Sequence, residues 1–191
     1  ASRGLGDVYK RQQFWGYSDL TTILNAIYAK TGQTGVLYQI RNVLYKERKQ
    51  QMTDVRDVLC EGGDALYRID YHYVQGTEMH GIIVGGNIRC FLKLSGTAYM
   101  PDLNGKILLL ESRSGTVARM ETYLSQLQQI GAFEQIAGIL LGTFTEMEAK
   151  QCMPDIVQLV KKYVRKTMPI AVTKQIGHGT DAKGIVIGGE L

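Results

Sequence analysis

Lys106-Ile107-Leu108-Leu109-Leu110-Glu111 is an apolar run that ends on a carboxylate. Four consecutive aliphatic residues without polar alternation suit a strand covered on both faces, as inside a parallel or mixed sheet. Similar runs recur at residues 136–143 and 169–175, with a shorter one at Ile185-Val186-Ile187. Between them lie helical patterns. Residues 117–130 put Met120, Tyr123, Leu124 and Leu127 on one face and stop at Gly131, and a second helix is predicted from Pro154 to about Arg165. Strands alternating with helices predict an α/β fold whose sheet is parallel or mixed and covered by helices.

Upstream the pattern is less regular. Phe14-Trp15 reads as the tail of a strand, and Ser18 or Asp19 as the N-cap of a helix through Leu20, Ile23, Leu24, Ile27 and Tyr28 that Gly32 stops. Val36-Leu37-Tyr38 suits a strand; Ile40, Val43 and Leu44 suit a helix. Thr53 or Asp54 is placed to cap a short helix closed by Gly62-Gly63. Tyr67, Ile69, Tyr71 and Tyr73 alternate with polar residues, and Gln75-Gly76-Thr77 follows as a turn, which predicts a hairpin near a sheet edge. Ile82-Ile83-Val84 is a further strand, after which Asn87 caps a helix through Ile88, Phe91 and Leu92. Residues 1–12 show no amphipathic period; they resemble a translated sequencing-adapter remnant and are set aside.

Composition narrows the class. Of 191 residues, 22 are basic and 18 acidic, a spread-out excess of +4. The basic run from Lys46 to Lys49 and the group Lys161, Lys162, Arg165 and Lys166 fit solvated helix faces, so nucleic acid is not an expected partner. Three cysteines without a CxxC pair argue against a disulfide framework and for a reducing compartment, the cytoplasm. No apolar run reaches the roughly 20 residues of a membrane helix, so no membrane partner is expected.

Ligands of open α/β sheets bind beyond the carboxyl ends of the strands. Glu111 sits at such an end, and so does His178, held between Gly177 and Gly179 where the backbone can turn and present the ring. A carboxylate that orients an imidazole is two thirds of a hydrolytic triad and calls for a serine or cysteine nucleophile. Ser18 and Ser95 read as helix ends, and Cys90 as a buried apolar residue. His72 and His80 have no third ligand at useful spacing, so no metal is expected. No GxGxxG or GxxxxGK[ST] is present, and no cofactor is expected.

With these residues in view the chain resembles the LD-carboxypeptidase family of serine peptidases, which includes murein tetrapeptide carboxypeptidases and microcin-immunity peptidases. The resemblance runs through Gly16-Tyr17-Ser18-Asp19 and its helix to Gly32, Val84-Gly85-Gly86-Asn87, Gly96-Thr97-Ala98-Tyr99 with Pro101-Asp102, and Gly105 to Glu111. It continues through Gln126-Leu127 with Gly131, Ala137-Gly138-Ile139 with Gly142, and Gly177-His178-Gly179. The order and spacing hold from about Gln13 onward.

The resemblance implies a Ser-His-Glu triad with Glu111 as acid and His178 as general base, and Asn87, Gly177 and Gly179 in substrate binding. It puts the nucleophilic serine on a glycine-rich strand-to-helix turn upstream of Gly16, so the chain is expected to be a fragment, inactive alone. The implied fold is the remnant of an N-terminal Rossmann-like domain plus a C-terminal swivelling β/β/α-type domain with a mixed sheet. The expected divisions are 13–34 for the nucleophile-domain tail, 35–80 for a connector with the hairpin, and 81–191 for the domain carrying Glu111 and His178. The implied substrate is a murein tetrapeptide losing its terminal D-alanine in cell-wall recycling. A peptide–nucleotide conjugate, or wall-peptide binding without catalysis, are the alternatives, and a homodimer is compatible with the family. Two departures stand out. Thr180-Asp181-Ala182-Lys183 and Val186-Ile187-Gly188 lack the family's Asn and Pro, and residues 35–45 lack its His-Gly-Pro.

Overall fold

A computed structural model describes residues 13–45 and 49–191. The adapter-like segment 1–12 and most of the basic run at 46–49 lie outside the described residues. Strand β1 (Phe14–Gly16) leads through a short 3-10 helix (Ser18–Leu20) into helix α1 (Thr21–Thr31), which Gly32 ends in the left-handed conformation. Strand β2 (Gly35–Leu37) then pairs parallel with β1, forming a compact βαβ unit. A second 3-10 helix (Ile40–Leu44) and helix α2 (Lys49–Arg56), extended by a π turn (Asp57–Glu61), form the connector.

Strands β3 (His72–Gln75), β4 (Ile83–Asn87), β5 (Ile107–Ser112), β6 (Gly138–Phe144) and β7 (Ile170–Val172) build a five-stranded sheet in the order β3-β7-β6-β5-β4. All its pairings are parallel except that of β3 with β7. Helix α3 (Ile88–Leu92) follows β4, α4 (Val117–Gln129) and α5 (Ala132–Gln135) follow β5, and α6 (Thr145–Ala149) and α7 (Ile156–Lys161) follow β6. The last strand, β8 (Ile185–Ile187), joins β1 and β2 in a separate three-stranded sheet, antiparallel to β2.

The central strands are buried on both faces, and their alternation sorts the two cores. Leu108, Leu110, Ile139 and Leu141 pack with Met120, Leu124 and Leu127 of α4. Ile107, Leu109 and Leu140 face the other way, onto Leu24, Leu37, Ile185 and Ile187. A one-residue slip would exchange these sets, and each fully buried leucine or isoleucine is worth about 1.5–3 kcal/mol, so the register is firmly set. The five-stranded sheet thus carries helices on one face and the small sheet with α1 on the other.

The expected hairpin does not form. β3 pairs with β7, about a hundred residues on, while β4 lies at the opposite edge of the sheet. Both are edge strands, but of different kinds. β3 is exposed or half-buried throughout, whereas every residue of β4 is buried, because Asn25 and Thr21 of α1 and the chain just after β8 hydrogen-bond its outer edge. Two cap expectations also change. Thr53 and Asp54 lie inside α2, which starts at Lys49, and the helix after Pro154 is short, capped by an Asp155–Gln158 capping box.

Candidate active site

Glu111 enters the site from the carboxyl end of β5, where the pairing with β6 shifts register between Leu110 and Ser112. Such a bulge re-aims side chains at a strand end. His178 enters from the loop after β7. Gly142 on β6 lets the two meet: a Cβ there would lie 2.5 Å from the Ile176 carbonyl oxygen and 3.1 Å from the Glu111 Cβ. With hydrogen in that place the loop lies flat on β6, and the Thr143 N–H donates to the Ile176 carbonyl (2.8 Å). Gly177 follows with φ +140 and turns the chain so that the imidazole faces β5.

His178 Nδ1 and Glu111 Oε2 are 2.7 Å apart, with side chains only 5% and 2% exposed. A carboxylate can only accept, so Nδ1 carries the proton and donates, and in the neutral imidazole Nε2 is the nitrogen that keeps its lone pair. Nε2 faces the Ser18 hydroxyl at 3.3 Å. The ring also stacks obliquely on Tyr17, with centroids 4.7 Å apart. The Tyr17 hydroxyl lies 3.5 Å from the Gly177 carbonyl oxygen. Burial, then the Glu111 charge, push the Tyr17 phenol well above its usual range, while Arg113 and Arg41 pull it back only in part. The phenol therefore stays a neutral donor.

A cavity of about 410 Å³ opens in front of His178, lined among others by Trp15, Tyr17, Ser18, Arg41 and Arg113. Glu111 sits behind the ring, out of this cavity. The arrangement provides a base with a defined free lone pair, fixed by a buried acid and facing a space large enough for a peptide end. Among the described residues no three His, Cys, Asp or Glu side chains converge as a metal site, and no described helix is long and apolar enough to cross a membrane.

Ser18 is the residue that sequence reasoning undervalued. Its hydroxyl meets His178, Tyr17 takes the N-cap position, and Ser18 itself has φ +51. A serine with positive φ between a strand and a helix was the available signal, but a Ser-Asp pair before an apolar helix reads first as a cap. Asn87, expected to contact substrate, lies beside Glu111 in the β4–β5 register but is 5% exposed. Its Oδ1 accepts from the Cys90 N–H (3.3 Å) as the N-cap of α3, and it does not line the cavity. The Gly177 carbonyl faces Tyr17, and the Gly179 carbonyl accepts from Asn42 Nδ2 (3.3 Å). Cys90 is buried, as expected, and its thiol donates to Asp19 (2.9 Å).

Residues 80–191 match the model of the LD-carboxypeptidase C-terminal domain. The chain belongs to the LD-carboxypeptidase family. A putative carboxypeptidase of Treponema pallidum (strain Nichols) is 29% identical over 92% of this chain and 59% of its own length. A probable murein peptide carboxypeptidase of Bacillus subtilis (strain 168) is 26% identical over 92% of this chain and 57% of its own. The chain therefore spans less than two thirds of these relatives. The structure of a muramoyltetrapeptide carboxypeptidase from Oxalobacter formigenes superposes with a TM-score of 0.76 at 19% identity, covering 94% of this chain and 63% of that one. That likeness shows that the chain has the LD-carboxypeptidase fold.

Proposed function

We propose that this chain carries the acid–base half of a serine-type LD-carboxypeptidase that releases the terminal D-alanine of murein tetrapeptides during cytoplasmic wall recycling. Glu111 holds the imidazole in one tautomer and stabilises the imidazolium as it forms. His178 Nε2 takes the proton of a serine hydroxyl and later delivers it to the leaving amine. The observation that carries this reading is the buried 2.7 Å His178–Glu111 pair, which leaves Nε2 facing an open cavity. The nucleophile belongs, by the family resemblance, to a glycine-rich turn N-terminal to Gly16.

A second reading has a specific observation in its favour. Ser18 itself stands 3.3 Å from His178 Nε2, with positive φ between β1 and the following helix, the backbone setting of a strained nucleophile turn. One experiment separates the two. Under the first reading the chain alone releases no D-alanine from murein tetrapeptide. Under the second it does, and Ser18→Ala reduces release to background. Release that survives Ser18→Ala would refute both.

A further inference from the structure

The cavity in front of His178 carries charge that the dyad does not require. Among the described residues no Asp or Glu side chain lines it, and its two permanent charges are both guanidinium groups, Arg41 and Arg113. They come from separate elements. Arg113 leaves β5 two residues after Glu111, just past the bulge, and Arg41 lies in the 3-10 helix after β2. Neither forms an ion pair among the described residues, whereas Arg56, Arg68 and Arg89 each pair with an acid. Both are close enough to act on the Tyr17 hydroxyl, which ties them to the ring that stacks on His178. The rest of the wall is largely apolar, from Trp15, Leu20, Tyr38 and Ile40. Two cations with no ion pair among the described residues, lining a largely apolar pocket, make a seat for an anion, and a guanidinium fork matches a carboxylate in two hydrogen bonds.

We infer that Arg113, assisted by Arg41, seats the free carboxylate of the substrate's C-terminal residue and so selects peptides with a free C-terminus over their amides. The inference rests on the peptidase reading for its substrate class. An anchor at a fixed place in the cavity that His178 faces presents the last amide bond of the peptide to the base, which makes the enzyme an exopeptidase. The apolar wall beside the anchor suits a small side chain such as a methyl group.

Trp15 is the only tryptophan of the chain and lines this cavity, so its fluorescence reports occupancy without any turnover. The probes are an N-acyl-L-lysyl-D-alanine, its C-terminal amide, and adenosine monophosphate. A charge-assisted hydrogen bond on a partly open rim is worth about a factor of ten. The acid is therefore expected to bind about tenfold more tightly than the amide. Arg113→Gln brings that ratio to about one, Arg113→Lys keeps part of it, and Arg41→Gln lowers it less. A wild-type ratio near one, or a ratio unchanged in both Arg113 variants, would overturn the inference. So would tighter binding of adenosine monophosphate than of the acid, which would assign the seat to phosphate. Failure of the peptidase reading is separately visible: acid-selective binding without D-alanine release from the protein in its full reading frame removes that reading and leaves the seat.

Discussion

Gly177→Ala tests whether the loop geometry that delivers His178 is as constrained as the structure implies. Gly177 has φ +140, a conformation that costs a residue with a Cβ about 1–3 kcal/mol. The new methyl would lie 1.9 Å from Thr143 Oγ1, 3.1 Å from Thr143 Cβ and 3.3 Å from Thr143 N. The last atom is pinned, because the Thr143 N–H donates to the Ile176 carbonyl (2.8 Å). Overpacking of this kind adds about 1–3 kcal/mol, for a total destabilisation of about 4 kcal/mol. Thr143 Oγ1 is buried with no hydrogen-bond partner. Thr143→Ala should thus stay within about 1 kcal/mol of wild type, and it removes the worst contact. In that background Gly177→Ala should cost only about 2 kcal/mol, the backbone share. Urea denaturation of the four proteins gives the coupling directly, about 2 kcal/mol in this account. A cost below 1 kcal/mol for Gly177→Ala, or the same cost in both backgrounds, would refute the reasoning.

Two further outcomes follow from residues behind the site. Lys183 donates to the Asp54 carboxylate, which is 3% exposed, and to the Ala65 carbonyl (2.9 Å), tying the His178 loop to the connector. Lys183→Met should cost about 3 kcal/mol in urea denaturation, the low end for a broken buried pair because Gln50 still donates to Asp54, and Asp54→Asn should recover part of the loss. Tyr38 donates to Gln51 Oε1 (2.6 Å), and burial, then the Asp54 charge, push its phenol up to about 12. Its folded value lies above the unfolded one, so its contribution is fully present below pH ~10 and is lost as the pH rises toward ~12, by about 1–3 kcal/mol. Phenolate absorbance should show Tyr38 and Tyr17 ionising after the exposed tyrosines. Ionisation of all tyrosines in one step near pH 10 with the fold intact would contradict this.

The sheet was legible where burial forces an unambiguous pattern. The aliphatic run of β5 admits only a strand covered on both sides, and the apolar stripe of α4 admits only a helix with one buried face. Glu111 and His178 stood out because a strand end and flanking glycines are local signals of a presented side chain. Partners distant in sequence left no such trace. The alternation at residues 67–73 overlaps the edge strand only at His72 and Tyr73, since β3 runs His72–Gln75, and it says nothing of β7 a hundred residues away; a nearby turn made the local pairing the obvious choice. The same blindness hid the pairing of β2 with β8, which closes the second face over Ile107 and Leu109. Ser18 was misread for a different reason. Cap chemistry and an exposed hydroxyl on a strained turn use the same residue types, and only the fold shows that its hydroxyl meets His178. Thr53 and Asp54 failed likewise: both can cap a helix, yet Asp54 is buried mid-helix because Lys183 arrives from the far end of the chain.

The central claim is that His178, oriented by Glu111, is the general base of a D-alanine-releasing peptidase. D-alanine release from murein tetrapeptide, measured on the protein in its full natural reading frame with and without His178→Ala, tests it most directly. The account predicts release by the unaltered protein and a loss of about 10⁴-fold or more in His178→Ala, with Glu111→Gln similarly impaired. Release that persists in His178→Ala, or no release from the unaltered protein, would contradict it.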